Sequence, residues 1–282
     1  DRSPSRGLGD VYKRQAQEIP VIDLTDSYSD DLEKRKKIAW EIHKTCRDTG
    51  FFYVKNHTIP QEMMENHLAL AAKFFNLPAE EKQALDSANE DSTRGYEAMA
   101  AQVLDEGSPP DLKEGFMSSV DADENHRYTK LNVPGTGRNQ WPASFPEFKD
   151  QYEAYVNKAL DLGRHLARML ALSLELPEDY FDKCLEEPLH YGRILKYPPH
   201  PKDAAPNQLG AGAHTDWGLL TILLQDQNGG LEVQNADGDW ISAPPIPGTY
   251  IINLGEMVPV ITNGLYKACL LYTSDAADEE DS

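Results

Sequence analysis

The residues with the clearest chemical potential are His214 and Asp216, which lie two positions apart in the run Gly-Ala-His-Thr-Asp-Trp-Gly. If this run is a β-strand, alternate side chains point to one face, so the imidazole and the carboxylate would stand side by side. One histidine and one carboxylate are two of the three ligands in the 2-His-1-carboxylate triad that holds non-heme Fe(II). The pattern is short, however, and it also fits a solvent-facing pair without a chemical role.

Trp217 follows this pair directly. On a regular strand its side chain would point to the face opposite His214 and Asp216, so we interpret Trp217 as a packing residue. The sequence contains no serine nucleophile elbow, no Walker A phosphate-binding loop and no Cys-x-x-Cys pair. The histidine and the carboxylate therefore remain the main candidates for chemistry.

The first two thirds of the chain are predicted to be mainly helical, because their apolar residues recur with a period near 3.6. Residues 88–145 hold many Gly, Pro, Asn and Asp residues and are predicted to be mostly ordered loop. The predicted helices are 30–48, about 60–76, a short helix that begins at Pro78, and about 146–175.

Short apolar and β-branched runs, separated by turn residues, dominate the sequence from residue 190 onward, and two similar runs occur at 19–24 and 51–54. Many short strands at near-regular spacing favour a sandwich or barrel, including the jelly roll. The predicted fold class is α+β, with an all-β core preceded by helices in a single domain. The predicted later strands are 193–197, 219–224, 231–234, 240–242 and 249–253.

The chain of 282 residues is acidic, with 27 Lys and Arg against 47 Asp and Glu and a net charge of −20. Nucleic acids and anionic membranes attract basic surfaces, so neither is an expected partner. No apolar run approaches the roughly 20 residues of a membrane span. The three widely spaced cysteines predict a reduced, cytoplasmic protein without a disulfide framework.

The two ends of the sequence differ from the rest. Residues 1–15 show neither helical nor strand periodicity, and the segment from Cys269 onward passes abruptly from an apolar run to an acidic tail. We interpret 1–15 and 269–282 as non-native, adapter-like sequence, to be set apart from a domain at 16–268. The alternative interpretation is that both ends are genuine disordered termini.

An ordered series of motifs extends along most of the chain. The motifs are IPVIDL at 19–24, DTGFFYVKNHTIP at 48–60, FFNLP at 74–78, RGYEA at 94–98, DLKEGF at 111–116, Tyr197-Pro198-Pro199, HTDWGLLTILLQD at 214–226, GGLEVQ at 229–234 and GTYIINLGEM at 248–257. This series resembles the 2-oxoglutarate/Fe(II) dioxygenase superfamily, and within it the isopenicillin N synthase-like branch. The resemblance implies a jelly-roll (double-stranded β-helix) core at 190–268, preceded by packed helices and loops at 16–145.

The resemblance also implies roles for five residues. His214 and Asp216 would be Fe(II) ligands, and Tyr197 would donate a hydrogen bond to the carboxylate of 2-oxoglutarate. Arg94 and Tyr96 match a segment that borders the pocket in relatives, and they could hold a substrate carboxylate. Packing or a surface ion pair is the alternative interpretation of the last three residues.

The family pattern requires a second histidine shortly after Thr-Asn-Gly at 262–264, and the aligned position in this chain is Leu271. The Arg-x-Ser motif that anchors the far carboxylate of 2-oxoglutarate in the family is missing as well. We therefore expect a C-terminally truncated copy that lacks the last core strands and is nearly inactive. Evolved loss of the site is the alternative.

The resemblance predicts an oxygenase that depends on Fe(II), 2-oxoglutarate and O2, with ascorbate as an optional addition. Its reaction would oxidise a C–H bond of a small organic substrate by hydroxylation or, alternatively, by desaturation or ring closure. One alternative is an isopenicillin N synthase-type oxidase that dispenses with 2-oxoglutarate. Another is an inactive fragment or a binding protein on the oxygenase scaffold. The sequence does not name the substrate.

Overall fold

The computed structural model describes residues 19–89, 93–103, 109–199, 208–235 and 237–273. The described residues divide into two compact units. The first unit comprises the described parts of 1–57, 167–178 and 213–272, and the second comprises those of 58–166, 179–212 and 273–282. The single domain expected at 16–268 stays a prediction.

The helices form where the 3.6-residue period predicts them. In the first helix Ile38, Ile42 and Cys46 are buried, and the Asp31 side chain caps its start by accepting a 2.9 Å hydrogen bond from the backbone N–H of Glu33. The three long helices end within two residues of their predicted bounds. Helices α1 to α6 are Leu32–Asp48, Gln61–Phe75, Ala79–Gln83, Arg127–Lys130, Glu147–Ser173 and Met257–Ile261. Among the described residues, no helix is both long and apolar enough to cross a membrane.

Every strand predicted from the sequence is present, with ends that differ by at most two residues. Strands β1 to β11 are Val21–Asp23, Phe51–Lys55, Gly95–Glu97, Glu114–Ser119, Tyr191–Lys196, Ala211–His214, Leu220–Leu223, Leu231–Gln234, Trp240–Ser242, Tyr250–Leu254 and Leu271–Thr273.

Two four-stranded sheets lie mostly in the first unit. One has the order β1-β2-β10-β7, in which β1 and β2 are parallel and the other neighbours are antiparallel. The second has the order β6-β11-β8-β9. Because both sheets contribute side chains to one apolar cluster, they form a sandwich, which is the arrangement of a jelly roll. The buried members of this cluster are Phe51, Tyr53, Leu231, Val233, Ala243, Ile251, Cys269 and Leu271.

The segment from Cys269 to Thr273 takes part in this sandwich. Cys269 and Leu271 are buried in the apolar cluster, and the backbone N–H of Gln234 donates a 2.9 Å hydrogen bond to the carbonyl of Leu270. The first residues of the expected non-native tail are therefore packed into the core. The non-native origin of the two ends stays a prediction.

The second unit contains the antiparallel sheet β3-β4-β5. Phe116 at the middle of this sheet packs on Phe74 of α2, with ring centroids 4.8 Å apart, and on Phe148 and Tyr152 of α5, at 5.3 Å and 5.7 Å. Offset and edge-to-face ring pairs of this kind stabilise a core beyond their buried area. The aromatic cluster thus packs one face of the sheet against α2 and α5.

The prediction that residues 88–145 are mostly loop is wrong, because β3, β4 and α4 lie within that range. Strand β4 reads Glu-Gly-Phe-Met-Ser-Ser and has no β-branched residue. It is the middle strand of its sheet and is covered on both faces, so it lacks the alternation of polar and apolar residues that marks a half-exposed strand.

Candidate active site

The structure brings His214 and Asp216 together, although not by strand alternation. His214 is the last residue of β6, and Asp216 lies in the loop that follows, so the assumption of a continuous strand is wrong. His214 Nε2 stands 3.6 Å from Asp216 Oδ1, and each side chain is 23% exposed. The imidazole and the carboxylate are thus close to each other and accessible to a small ligand.

Asn253 orients the carboxylate of Asp216. It lies in β10, is 1% exposed, and donates a 2.8 Å hydrogen bond from Nδ2 to Asp216 Oδ2. The other carboxylate oxygen therefore faces His214. The sequence analysis missed this residue, although one signal was available. Asn253 is the one amide side chain in the buried strand Tyr-Ile-Ile-Asn-Leu, and buried amides in native proteins find hydrogen-bond partners.

Backbone and side-chain contacts also hold the loop around Asp216. The backbone N–H of Glu256 donates a 2.9 Å hydrogen bond to the carbonyl of Asp216, and the Thr215 hydroxyl donates to the Glu256 carboxylate. The loop runs close to Gly255, where an added Cβ would stand 2.4 Å from the carbonyl oxygen of Gly218. A side chain at position 255 would push the loop away, so glycine is required there.

Trp217 is not a packing residue. Its side chain is 87% exposed, which corrects the sequence-based interpretation. The physical reason is that β6 ends at His214, so the alternation of a strand does not apply at Trp217.

The pair fits two positions of a metal centre. Bonds from a first-row metal to nitrogen and oxygen are about 2.0–2.2 Å, so two adjacent ligands of one ion stand roughly 3 Å apart, which is close to the observed 3.6 Å. Among the described residues, no group of three or more His, Cys, Asp and Glu side chains could hold a metal ion. Leu271, at the position expected for the third ligand, is a buried apolar residue of β11.

Tyr197 directly follows β5 in the second unit. Its ring packs over the backbone of Gly210, where an added Cβ would lie 2.9 Å from Tyr197 Cδ1. The side chain is partly exposed. The ring is therefore held on one side, and its role toward 2-oxoglutarate stays a prediction.

Arg94 and Tyr96 are both buried in the second unit. Arg94 donates from Nη2 to the carbonyl of Val120 at 3.1 Å and from Nη1 to the carbonyl of Gly135. The Tyr96 hydroxyl donates a 2.7 Å hydrogen bond to Glu114 Oε2, and burial together with this carboxylate raises the pKa of Tyr96. These contacts give both side chains a structural role in this conformation. Their role toward a substrate carboxylate stays a prediction.

Two known protein families match this chain. Residues 19–144 match the family described as the N-terminal region of non-haem dioxygenases in morphine synthesis, and residues 189–270 match the 2OG-Fe(II) oxygenase superfamily. The two matches are consecutive and together include β1 to β10.

Relatives with known names agree with these matches. The chain is 35% identical over 254 residues to the 2-oxoglutarate-Fe(II) type oxidoreductase hxnY of Emericella nidulans, covering 88% of this chain and 73% of that protein. It is 33% identical over 265 residues to a homoarginine-6-hydroxylase of Glycine max, covering 89% of this chain and 79% of that protein.

Solved structures share the fold. A full-length Neurospora crassa protein in complex with alpha-KG and thymine superposes with a TM-score of 0.81 at 27% identity, covering 93% of this chain and 81% of that one. JOX2 in complex with 2OG, Fe and JA superposes with a TM-score of 0.72 at 26% identity, covering 93% of this chain and 71% of that one.

The chain therefore belongs to the 2OG-Fe(II) oxygenase superfamily. It is a non-heme Fe(II) dioxygenase on a jelly-roll core, and its cofactors are Fe(II) and 2-oxoglutarate, with O2 as the oxidant. These findings confirm the predicted family, fold class, enzyme class and cofactors. They favour the 2-oxoglutarate-dependent enzyme over an oxidase that dispenses with this cosubstrate.

Proposed function

We propose that His214 and Asp216 are two of the three protein ligands of the catalytic Fe(II) and that the reaction hydroxylates a C–H bond of a small organic molecule. The observation that carries this proposal is the 3.6 Å approach of His214 Nε2 to Asp216 Oδ1. The buried Asn253 supports it, because metal-binding carboxylates are commonly oriented by a hydrogen bond to their second oxygen.

Iron with 2-oxoglutarate and O2 supplies the oxidising power in this family, and the protein supplies binding and orientation. In this chain the loop around Asp216 is fixed by Asn253 and Glu256, so the two metal-binding atoms are positioned before the metal arrives. Pre-positioned ligands lower the ordering cost of metal binding. Desaturation or ring closure is the alternative outcome of the same chemistry.

Tyr197 is the proposed contact to the 2-oxoglutarate carboxylate. A hydrogen bond from a phenol to a carboxylate contributes about 1.5–3 kcal/mol, so Tyr197→Phe should weaken 2-oxoglutarate binding roughly tenfold or more. Anaerobic titration of 2-oxoglutarate into the metal-loaded full chain measures this effect. Tyr180→Phe is a matched control, because Tyr180 is an exposed tyrosine of the second unit and carries no proposed role.

The direct test of the proposed ligands is the turnover of 2-oxoglutarate to succinate. His214→Ala and Asp216→Ala should abolish any turnover that the wild-type chain shows, whereas His126→Ala, a histidine paired with Glu187 in the second unit, should leave it unchanged. Wild-type turnover in either ligand variant would contradict the proposal. Because Leu271 occupies the expected third-ligand position, we propose that turnover by this chain is far below that of its relatives.

A further inference from the structure

The sheet of the second unit has two chemically different faces. Tyr96 and Phe116 stand opposite each other on the face that packs into the aromatic cluster. Glu97 directly follows Tyr96, and Leu195 directly follows the residue that pairs with Phe116. Because successive side chains of a strand point to opposite faces, Glu97 and Leu195 lie on the other face. Arg193 shares this second face because it lies two residues before Leu195 in β5. Glu97 and Arg193 thus lie on the face away from the aromatic cluster, whereas Glu114 and Lys196 form an ion pair on the side of Phe116 and Ile194.

Tyr197, the proposed contact to 2-oxoglutarate, directly follows the strand that carries Arg193. Every second residue from Arg193 onward in β5 points to the same side of the sheet, which includes Leu195. Tyr197 is the next such position if the extended backbone of β5 continues through it. Four residues of extended chain span roughly 13 Å. A group bound at Arg193 would therefore stand within the length of a small organic molecule from Tyr197.

Arg193 is held by a closed set of hydrogen bonds. Its Nε donates to Glu97 Oε2 at 3.0 Å, and its Nη2 donates to the same oxygen and to Gln102 Oε1 at 2.8 Å. Gln102 Nε2 in turn donates to Glu97 Oε1 at 3.2 Å. The guanidinium is fixed in one orientation, which lowers the ordering cost of binding a further partner.

Gly115 is what allows Glu97 to lie over the sheet. An added Cβ at this glycine would stand 2.6 Å from Glu97 Oε2 and 3.2 Å from Leu195 Cδ2. Glu97 therefore lies close to the backbone of β4, and only 13% of its side chain is exposed, against 29% for Arg193. The carboxylate supports the guanidinium from the sheet side.

One edge of the guanidinium remains open. Within the part of the chain that the structure describes, Arg193 Nη1 donates no hydrogen bond. A cavity of about 10 Å³ lies beside it, and Lys113 lines the same cavity. That volume is roughly enough for one water-sized atom, such as a ligand oxygen. An open guanidinium edge is suited to an anionic oxygen. Lys113 is already paired with Asp111 at 2.6 Å, so Arg193 is the cation that would hold this oxygen.

We propose that Arg193 binds the carboxylate of an organic-acid substrate through its open Nη1 edge, while Glu97 and Gln102 hold the guanidinium in place. The assignment rests on the proposed function, because Tyr197 is what relates this face to the cosubstrate. A carboxylate could also come from 2-oxoglutarate itself. The substrate is the source that we assign, and the experiment separates the two.

The experiment compares acids with uncharged amides of the same shape. Hexanoate and hexanamide, and phenylacetate and phenylacetamide, are titrated calorimetrically into the full chain. Because the carboxylate gains charge-assisted hydrogen bonds, at least one acid should bind about tenfold more tightly than its amide. Arg193→Gln should remove this preference. Arg138→Gln, which removes an exposed arginine paired with Asp121, should retain it.

A second variant protects the test against misfolding. The double substitution Arg193→Gln with Glu97→Gln leaves no unpaired charge, and it should also lose the preference while melting cooperatively. Absence of any acid preference in the wild-type chain, or its persistence in both Arg193 variants, would overturn the proposal.

The titration of 2-oxoglutarate completes the experiment. Arg193→Gln should leave 2-oxoglutarate affinity within about twofold of the wild type, since the site serves the substrate. A loss of 2-oxoglutarate binding in this variant would overturn the proposal in favour of a cosubstrate contact. If the wild-type chain binds the acids in an Arg193-dependent way but does not bind 2-oxoglutarate, the acid site stands and the proposed function fails.

Discussion

Asn253 donates a 2.8 Å hydrogen bond from Nδ2 to Asp216 Oδ2, and the other carboxylate oxygen of Asp216 stands 3.6 Å from His214 Nε2. A buried amide in the central region of a sheet thus sets the direction of a carboxylate in a loop. Since loops are more mobile than strands, this bond transfers the rigidity of β10 to the candidate metal ligand.

Replacing Asn253 should weaken metal binding without changing either proposed ligand. We expect Asn253→Leu to lower Fe(II) affinity roughly 10–100-fold, which is the usual effect of removing the hydrogen-bond partner of a metal ligand. Anaerobic titration of Fe(II) measures the change. Asn157→Leu, at an exposed position of α5, is the control and should bind Fe(II) like the wild type. Unchanged affinity in a folded Asn253→Leu protein would show that Asp216 needs no such support.

The buried ion pair of Glu114 and Lys82 should matter far more to stability than an exposed pair. Glu114 Oε2 lies 2.7 Å from Lys82 Nζ, with side chains 6% and 11% exposed. Glu114→Ala should lower the free energy of unfolding by about 3–5 kcal/mol, because it leaves a buried ammonium without its partner. Urea unfolding measures the loss.

The control for this prediction is Glu147→Ala, which breaks the pair of Glu147 with Lys73, whose side chains are 51% and 66% exposed. Exposed pairs contribute about 0–1 kcal/mol, so this variant should remain near the wild type. Equal losses in the two variants would contradict the structural role given to Glu114.

His67 should make the protein sensitive to mild acid. Burial lowers the pKa of His67 to about 4, and its Nδ1 has no hydrogen-bond partner among the described residues. An unfolded histidine titrates near 6.5, so the unfolded chain binds the proton first. The stability contribution of neutral His67 is therefore complete above about pH 6.5 and is lost as the pH falls toward 4.

Chemical denaturation between pH 7.5 and pH 4 tests this prediction. The wild type should lose up to roughly 3 kcal/mol through His67, at 1.36 kcal/mol for each unit of pKa difference. His67→Phe, which keeps the stacking on Tyr155, should remove this part of the pH dependence. An identical pH profile in the variant would mean that His67 does not titrate as proposed.

Much of the fold could be predicted from the sequence. The period of 3.6 located α1, α2 and α5, and short β-branched runs located six of the eight sandwich strands, because both patterns reflect burial of one face. Strand β4 was missed for the same reason, since a central strand covered on both faces shows no alternation. Strands β6 and β11 were not predicted either. The burial of Trp217 was also predicted wrongly, because the prediction assumed that the strand continues past His214. The end of β6 depends on tertiary packing, which no local sequence pattern reports.

The candidate site could be predicted only in part. The residue types His and Asp at a spacing of two pointed to the pair, and the structure does bring them together. It does so through a loop held by Asn253 and Gly255, which are distant from the pair in sequence. The pairing of β10 with β7 and the approach of the loop to Gly255 create these contacts, so they could not be read from the local motif.

We propose that His214 and Asp216 are two Fe(II) ligands and that Leu271 stands where the family pattern requires the third. The decisive measurement is the Fe(II) affinity of Leu271→His, titrated anaerobically beside Leu270→His as the neighbouring control. A third ligand should tighten binding at least roughly tenfold in Leu271→His, and the gain should vanish when Asp216→Ala is added. Unchanged affinity in Leu271→His, or a gain that survives the loss of Asp216, would contradict the proposed metal site.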